Sequence, residues 1–160
     1  MNEKMKAQLK PIYEGVGTIV QSSQQMEYSI VVSLVLLAQL DDSTYYSDQV
    51  FDENLDKFTK HTLGRLINSM KGRMDIDQHG VEALKLCLKE RNYIVHEFFR
   101  SNGKDFLSES GRERLNKRIQ DARINIHPGF LIIDKIATTL FELSGLTEAD
   151  IMEEVKSKIT

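Results

Sequence analysis

Arg91, Asn92 and His96 are the residues of this chain whose types and spacing could do chemistry. Histidine is the side chain whose ordinary pKa, about 6.5, suits proton transfer near neutrality. Arginine offers a planar fork of donors for phosphate oxygens and for charge that develops on phosphorus. Asparagine can orient a hydroxyl or a neighbouring side chain. Together they form a minimal kit for phosphoryl transfer without a metal. A helical wheel at about 100° per residue places Leu84, Cys87, Leu88, Ile94, Val95, Phe98 and Phe99 on one apolar arc. Arg91 falls in the middle of that arc, with Asn92 and His96 at its edge. A buried guanidinium needs a carboxylate, a phosphate or a wet cleft to offset its desolvation. The same residues therefore allow a second reading, in which Arg91 bonds a buried carboxylate and His96 completes a core hydrogen bond.

The charge around these residues is uneven. The chain has 160 residues and a formal net charge of −3, which argues against a non-specific nucleic-acid binder. Residues 1–84 hold 8 basic and 12 acidic side chains, residues 85–123 hold 10 and 6, and residues 124–160 hold 3 and 6. The single positive block contains the Arg91–His96 stretch. Its Lys89, Arg100, Arg112, Arg114, Lys117 and Arg118 are candidate contacts to a phosphate backbone, against the alternative of a solvated helix face. Glu90 and Glu97 fall away from the apolar arc on the wheel and read as solvated charges. His61, His79 and His127 lack metal-ligand spacing, and no metal or cofactor is expected. Cys87, the only cysteine, reads as a small buried hydrophobe in a reducing cytoplasm.

The elements that must position the kit are helical. No alternating strand pattern bounded by hairpin turns occurs. A first helix is expected from near Pro11 to Leu40, loosened at its start by Gly15 and Gly17. Its run Ile30–Leu40 is too short to span a bilayer, so it reads as a helix buried on most sides. Met1–Lys10 is charged and has no apolar core of a secretory leader. A second helix is expected from near Asp52 through Met70, and a third from Gln78 to Arg100, stopped by Ser101–Lys104. A fourth opens at Ser108, is kinked or broken at His127-Pro128-Gly129, and ends at Ser144-Gly145. Thr147 and Asp150 suggest a capping box for a short helix over about 147–158, with Ile151 and Val155 on one face. The expected fold is all-α: one domain over residues 1–160, an antiparallel four-helix bundle with a core over about 15–143 and an appended C-terminal helix.

The stretch Leu88-Lys89-Glu90-Arg91-Asn92-Tyr93-Ile94-Val95-His96-Glu97-Phe98-Phe99 resembles the signature of the HEPN superfamily, all-helical domains with an Arg-polar-x-x-x-His motif. The motif match spans Leu84 to Arg100. Many such proteins are metal-independent endoribonucleases of toxin–antitoxin, phage-defence or RNA-processing systems, and they act as homodimers in which two motifs meet. The resemblance implies catalytic roles for Arg91 and His96 and an orienting role for Asn92. It implies attack by a ribose 2′-hydroxyl, leaving 2′,3′-cyclic phosphate and 5′-hydroxyl ends. It also implies RNA, a second copy of the chain and an antitoxin protein as partners, with no membrane. Some members of the superfamily carry a tyrosine two residues after the histidine, a target of nucleotidyl transfer; here that residue is Phe98. Other members are non-catalytic RNA- or protein-binding modules, which is the alternative function.

Overall fold

The computed structural model describes residues 3–41, 57–58 and 60–145, and all regular structure among them is helical. Helix α1 spans Glu3–Asp41, α2 Leu63–Lys71 and α3 Gln78–Asn92. A π-helical turn, Tyr93–Glu97, joins α3 to α4, Phe98–Ser101. A 3-10 turn at Asp105–Leu107 leads into α5, Glu109–Ser144. No helix among the described residues is long and apolar enough to cross a membrane. The chain divides into two compact units, Met1–Glu27 with Ile76–Ile132 and Tyr28–Asp75 with Ile133–Thr160.

The first unit holds the motif. Helix α1 begins two turns before Pro11, because Leu9 and Ile12 already bury one face there. The lost N–H of Pro11 does not break a helix whose apolar face is packed. Helix α3 starts where Asp77 Oδ1 accepts from the Gly80 N–H at 2.7 Å, a side-chain cap on an otherwise orphaned donor. Helix α5 starts at the expected Ser108, whose Oγ accepts from the Gly111 N–H. It is not broken at His127-Pro128-Gly129 but runs unbroken to Ser144. The stripe Leu115, Ile119, Ala122, Ile126, Ile133 keeps helical spacing through that point. Pro128 is exposed, so its missing N–H falls on the side where water can reach the freed carbonyl.

The helices of this unit do not alternate as expected. Lys4 Nζ bonds Glu109 at 2.9 Å, and Arg112 Nε donates to Gln8 Oε1 at 2.9 Å. Gly15 lies against Ile119, where an added Cβ would come within 2.4 Å of Cγ2. Residue numbers rise together along these contacts, so α1 and α5 run parallel. Helix α3 is antiparallel to both: Cys87 lies against Gly129, and further on Glu90 meets Asn125 and Arg118. Met26 touches Cys87, while Tyr13 stacks on Phe99. An up-and-down bundle would set its first and fourth helices in opposite directions. Here α1 and α5 run in the same direction, and the nine-residue α2 belongs to the other unit.

In the second unit Val32, Leu36 and Leu140 form a core with Leu37, Ile136 and Phe141. Every residue from Ile30 to Leu36 is buried, as the apolar run suggested, and Ser33 satisfies its hydroxyl on the Ser29 carbonyl at 2.7 Å. Helix α2 buries Leu63, Leu66, Ile67 and Met70. Helix α5 ends where Gly145 takes φ +71°, a left-handed stop that favours glycine. The expected Asp52 cap and the helix from Thr147 lie outside the described residues.

Candidate functional site at the π turn

The sequence places Arg91 and His96 five residues apart. In a straight α-helix that separation leaves them about 140° apart around the axis. The π turn removes the mismatch. The Phe98 N–H bonds the Tyr93 carbonyl, a five-residue closure, and the wider turn swings His96 back under Arg91. Arg91 Nη1 then lies 3.4 Å from His96 Nε2 and donates to Asn92 Oδ1 at 3.1 Å. All three sequence-predicted residues converge, with Asn92 and His96 exposed. Single π turns occur often at functional sites, since they re-aim side chains at a cost in helix regularity.

A fourth residue joins them from α1. Arg91 Nη2 donates to Glu27 Oε1 at 2.7 Å, with 17% of the Arg91 side chain and 31% of the Glu27 side chain exposed. Glu27 was not among the residues singled out in the sequence. Its signal was compositional: it is the only charged residue between Glu14 and Asp41. Arg91 Nε is buried without a partner among the described residues. The guanidinium is thus anchored on one side by a carboxylate and shares its other amino group with two exposed polar side chains. Burial pushes the nearby Cys87 thiol up to about 11, against a smaller opposing pull from the Arg91 charge. Cys87 stays a neutral packing residue, as expected.

The basic block is less open than its composition implied. Arg112 is buried and donates through Nε to Gln8 and through Nη1 to the Phe106 carbonyl, so it fastens the α4–α5 connection. Arg114 is paired with Asp105 at 2.5 Å, and Lys117 with Asp121 at 2.9 Å. Arg118 bonds Glu90 at 2.5 Å and lies 4.5 Å over the Tyr93 ring. Only Lys89 and Arg100 of the six candidates are exposed with no ion pair among the described residues. Glu90 is a correction to the wheel. It is 8% exposed and accepts from Arg118 and Asn125, because α5 covers the face of α3 that carries Glu90. Glu97 is exposed, as the wheel placed it.

Two other features lie apart from this cluster. An open groove of about 560 Å³ between α1 and α5 is floored by Ile19, Ile126 and Phe130, and none of Arg91, Asn92 or His96 lines it. No group of three or more candidate ligands among the described residues could hold a metal. Comparison with known proteins found no matching family model, no matching curated sequence and no matching solved structure.

Proposed function

We propose that this chain is a metal-independent endoribonuclease of the HEPN type, with Arg91, Asn92 and His96 at its site. The observation that carries the reading is the π turn, which brings His96 Nε2 to 3.4 Å from Arg91 Nη1 on an exposed edge. A titratable imidazole and a fixed cation beside one another suit a phosphodiester whose bridging oxygen is leaving. In the reaction, the ribose 2′-hydroxyl gives up its proton and attacks phosphorus. The P–O5′ bond breaks, and protonated His96 gives its proton to the departing 5′-oxygen. Arg91 offsets the charge that builds on the phosphorane oxygens. Asn92 holds the guanidinium edge.

The step needs a second proton carrier, for the 2′-hydroxyl. A homodimer would supply His96 of a second copy. The chain itself supplies Glu27, whose Oε1 is held by Arg91 and whose Oε2 can take a proton. Glu27 is therefore the proposed base, and a dimer is not required for a complete set of groups. An HEPN-like helical fold, a toxin or phage-defence setting, an antitoxin partner and a cytoplasmic site of action follow from the same motif resemblance and are part of the proposal.

A second reading is favoured by the Arg91–Glu27 pair, since a purely structural arginine would also find a carboxylate. On that reading the chain is an HEPN-like module that binds RNA or protein without turnover. End-group analysis separates the two. Varied RNAs are incubated in excess chelator with the parent protein, Arg91→Ala and His96→Ala, each checked for helical content. The ribonuclease reading expects 2′,3′-cyclic phosphate ends from the parent alone. Intact RNA throughout, or equal cutting by His96→Ala, refutes it.

A further inference from the structure

We infer that Tyr13, Phe99 and Phe106 form a platform on which unpaired bases of a single-stranded RNA stack as the strand leaves the Arg91–His96 site. The inference takes its choice of ligand from the ribonuclease reading and its location from the rings themselves. The three ring centroids are separated by 5.9, 5.7 and 6.4 Å, and their planes differ by 21°, 25° and 27°. Near-parallel rings at the corners of a near-equilateral triangle cannot all lie face to face. They must be displaced sideways, so that no ring is fully covered by its neighbours. Phe98, fully buried, stands edge-on to Phe99 and Phe106 at 5.3 and 6.2 Å and holds them from below. Tyr13 and Phe99 are nevertheless 53% and 46% exposed. Aromatic area left in water on a packed scaffold is surface available to a partner.

The platform is in line with the site. Glu27, Gln24, Gly17 and Tyr13 are separated by three, seven and four residues, so they share one face of α1. Fourteen residues of helix make that track about 21 Å long. A strand of roughly four nucleotides, the lower end of sequence-tolerant binding sites, is a suitable occupant. Gly17 lies between the two ends, and a Cβ there would meet nothing within 4 Å. The track is open where a side chain would obstruct it.

Charge favours a nucleic acid over a protein. Lys4, Lys10 and Arg114 around the platform are paired with Glu109, Glu14 and Asp105. Arg100 and Lys104, which bracket the turn between Phe99 and Phe106, are exposed with no ion pair among the described residues. Arg100 is also one helical turn beyond His96. Unpaired cations beside ring faces suit phosphates beside bases, and every base has a face to stack. A duplex hides those faces, which sets the expected preference.

Fluorescence anisotropy with labelled 12-nucleotide oligouridylate, oligoadenylate and an RNA hairpin tests this, using His96→Ala protein so that the probes stay intact. Single strands should bind more tightly than the hairpin. Adding Phe99→Ala or Tyr13→Ala should weaken single-strand binding about 5- to 150-fold, the equivalent of one lost base stack, whereas Phe99→Tyr should bind as the parent. Gly17→Leu should also weaken binding while raising the unfolding midpoint, which separates a blocked track from a damaged fold. Single-strand affinities within twofold of the parent for Phe99→Ala and Gly17→Leu overturn the inference, as does equal binding of the hairpin or no binding at all. It is likewise overturned if Phe99→Ala turns a dimer into a monomer by light scattering and leaves RNA affinity unchanged. Should wild-type protein bind in the expected pattern and never cut, the ribonuclease reading fails and the platform stands.

Discussion

Two glycines on one turn of α1 should respond differently to the same substitution. Both Gly15 and Gly17 are inside the helix, so alanine at either position removes a penalty of about 1 kcal/mol for glycine in a helix interior. At Gly17 nothing opposes that gain, because the new Cβ points into open space. At Gly15 the Cβ would stand 2.4 Å from Ile119 Cγ2, whereas non-bonded carbons prefer about 3.5–4.0 Å. Ile119 is fully buried, and a β-branched side chain in a helix has essentially one χ1 rotamer, so it cannot swing aside. Overpacking of this kind costs about 1–3 kcal/mol. Gly17→Ala is therefore expected to stabilise by about 1 kcal/mol, and Gly15→Ala to be neutral or to destabilise by up to about 2 kcal/mol. At about 2–4 °C per kcal/mol for a chain of this size, the two melting midpoints should differ by about 2–12 °C. Thermal unfolding followed by circular dichroism reads this directly. The Gly15→Ala/Ile119→Ala double variant should lose less than the sum of its single variants. Equal stabilisation by both alanines would refute the close parallel packing of α1 on α5 on which the placement of Tyr13 and Glu27 depends.

Other perturbations address the site. Glu27→Gln keeps the shape but removes the charge and the base; cleavage should fall by about 10²–10⁴-fold, and a fall of less than tenfold would remove Glu27 from the mechanism. Arg118→Ala leaves Glu90 buried against Asn125 alone and strips the Tyr93 face, so it should destabilise by about 1–3 kcal/mol in urea. Glu90→Gln/Arg118→Ala should recover part of that loss. The Cys87 thiol, raised to about 11 by burial, should resist iodoacetamide at pH 8 until the protein unfolds. A free cysteine ordinarily titrates near 8.5. The contribution of the buried neutral thiol to stability is therefore present below about pH 8.5 and is lost as pH climbs towards 11. Cys87→Ser should flatten that alkaline limb of the stability profile.

Helical spacing and cap residues made much of the fold legible: the start of α3 at Gln78, the cap at Ser108, the stop after Ser101 and the end at Ser144-Gly145 are all local chemistry. Prolines were the reverse case. Pro11 and Pro128 carry a local penalty that continuous apolar stripes override, so a rule about one residue lost to the packing of ten. Helix direction was not legible, because nothing local in the expected second helix says how far it travels. The candidate site was found through residue types, but its geometry was not. No glycine or proline marks the π turn at Tyr93–Glu97, and a wheel drawn at 100° per residue cannot contain it. Glu27 is 64 residues from Arg91, beyond any spacing rule. Counting charges overstated the basic face for a similar reason. The count cannot see that Arg118 and Glu90, 28 residues apart, cancel each other.

The Arg91–Glu27 pair can be asked directly whether it exists for the fold. A partly buried ion pair is weak evidence for stability, since desolvation of both groups offsets much of their attraction. Removing one partner alone leaves the other charge without compensation, so Glu27→Leu should destabilise and so should Arg91→Met. Replacing both at once removes the desolvation penalty together with the attraction. Glu27→Leu/Arg91→Met should then be about as stable as the parent, within roughly 1 kcal/mol. If the pair is structural, RNA chemistry should be absent from parent and double variant alike. If it is functional, the double variant should retain its melting midpoint and lose cleavage entirely. A double variant that melts as low as the worse single variant would mean that the ion pair itself holds α1 to α3, and that its chemistry is incidental.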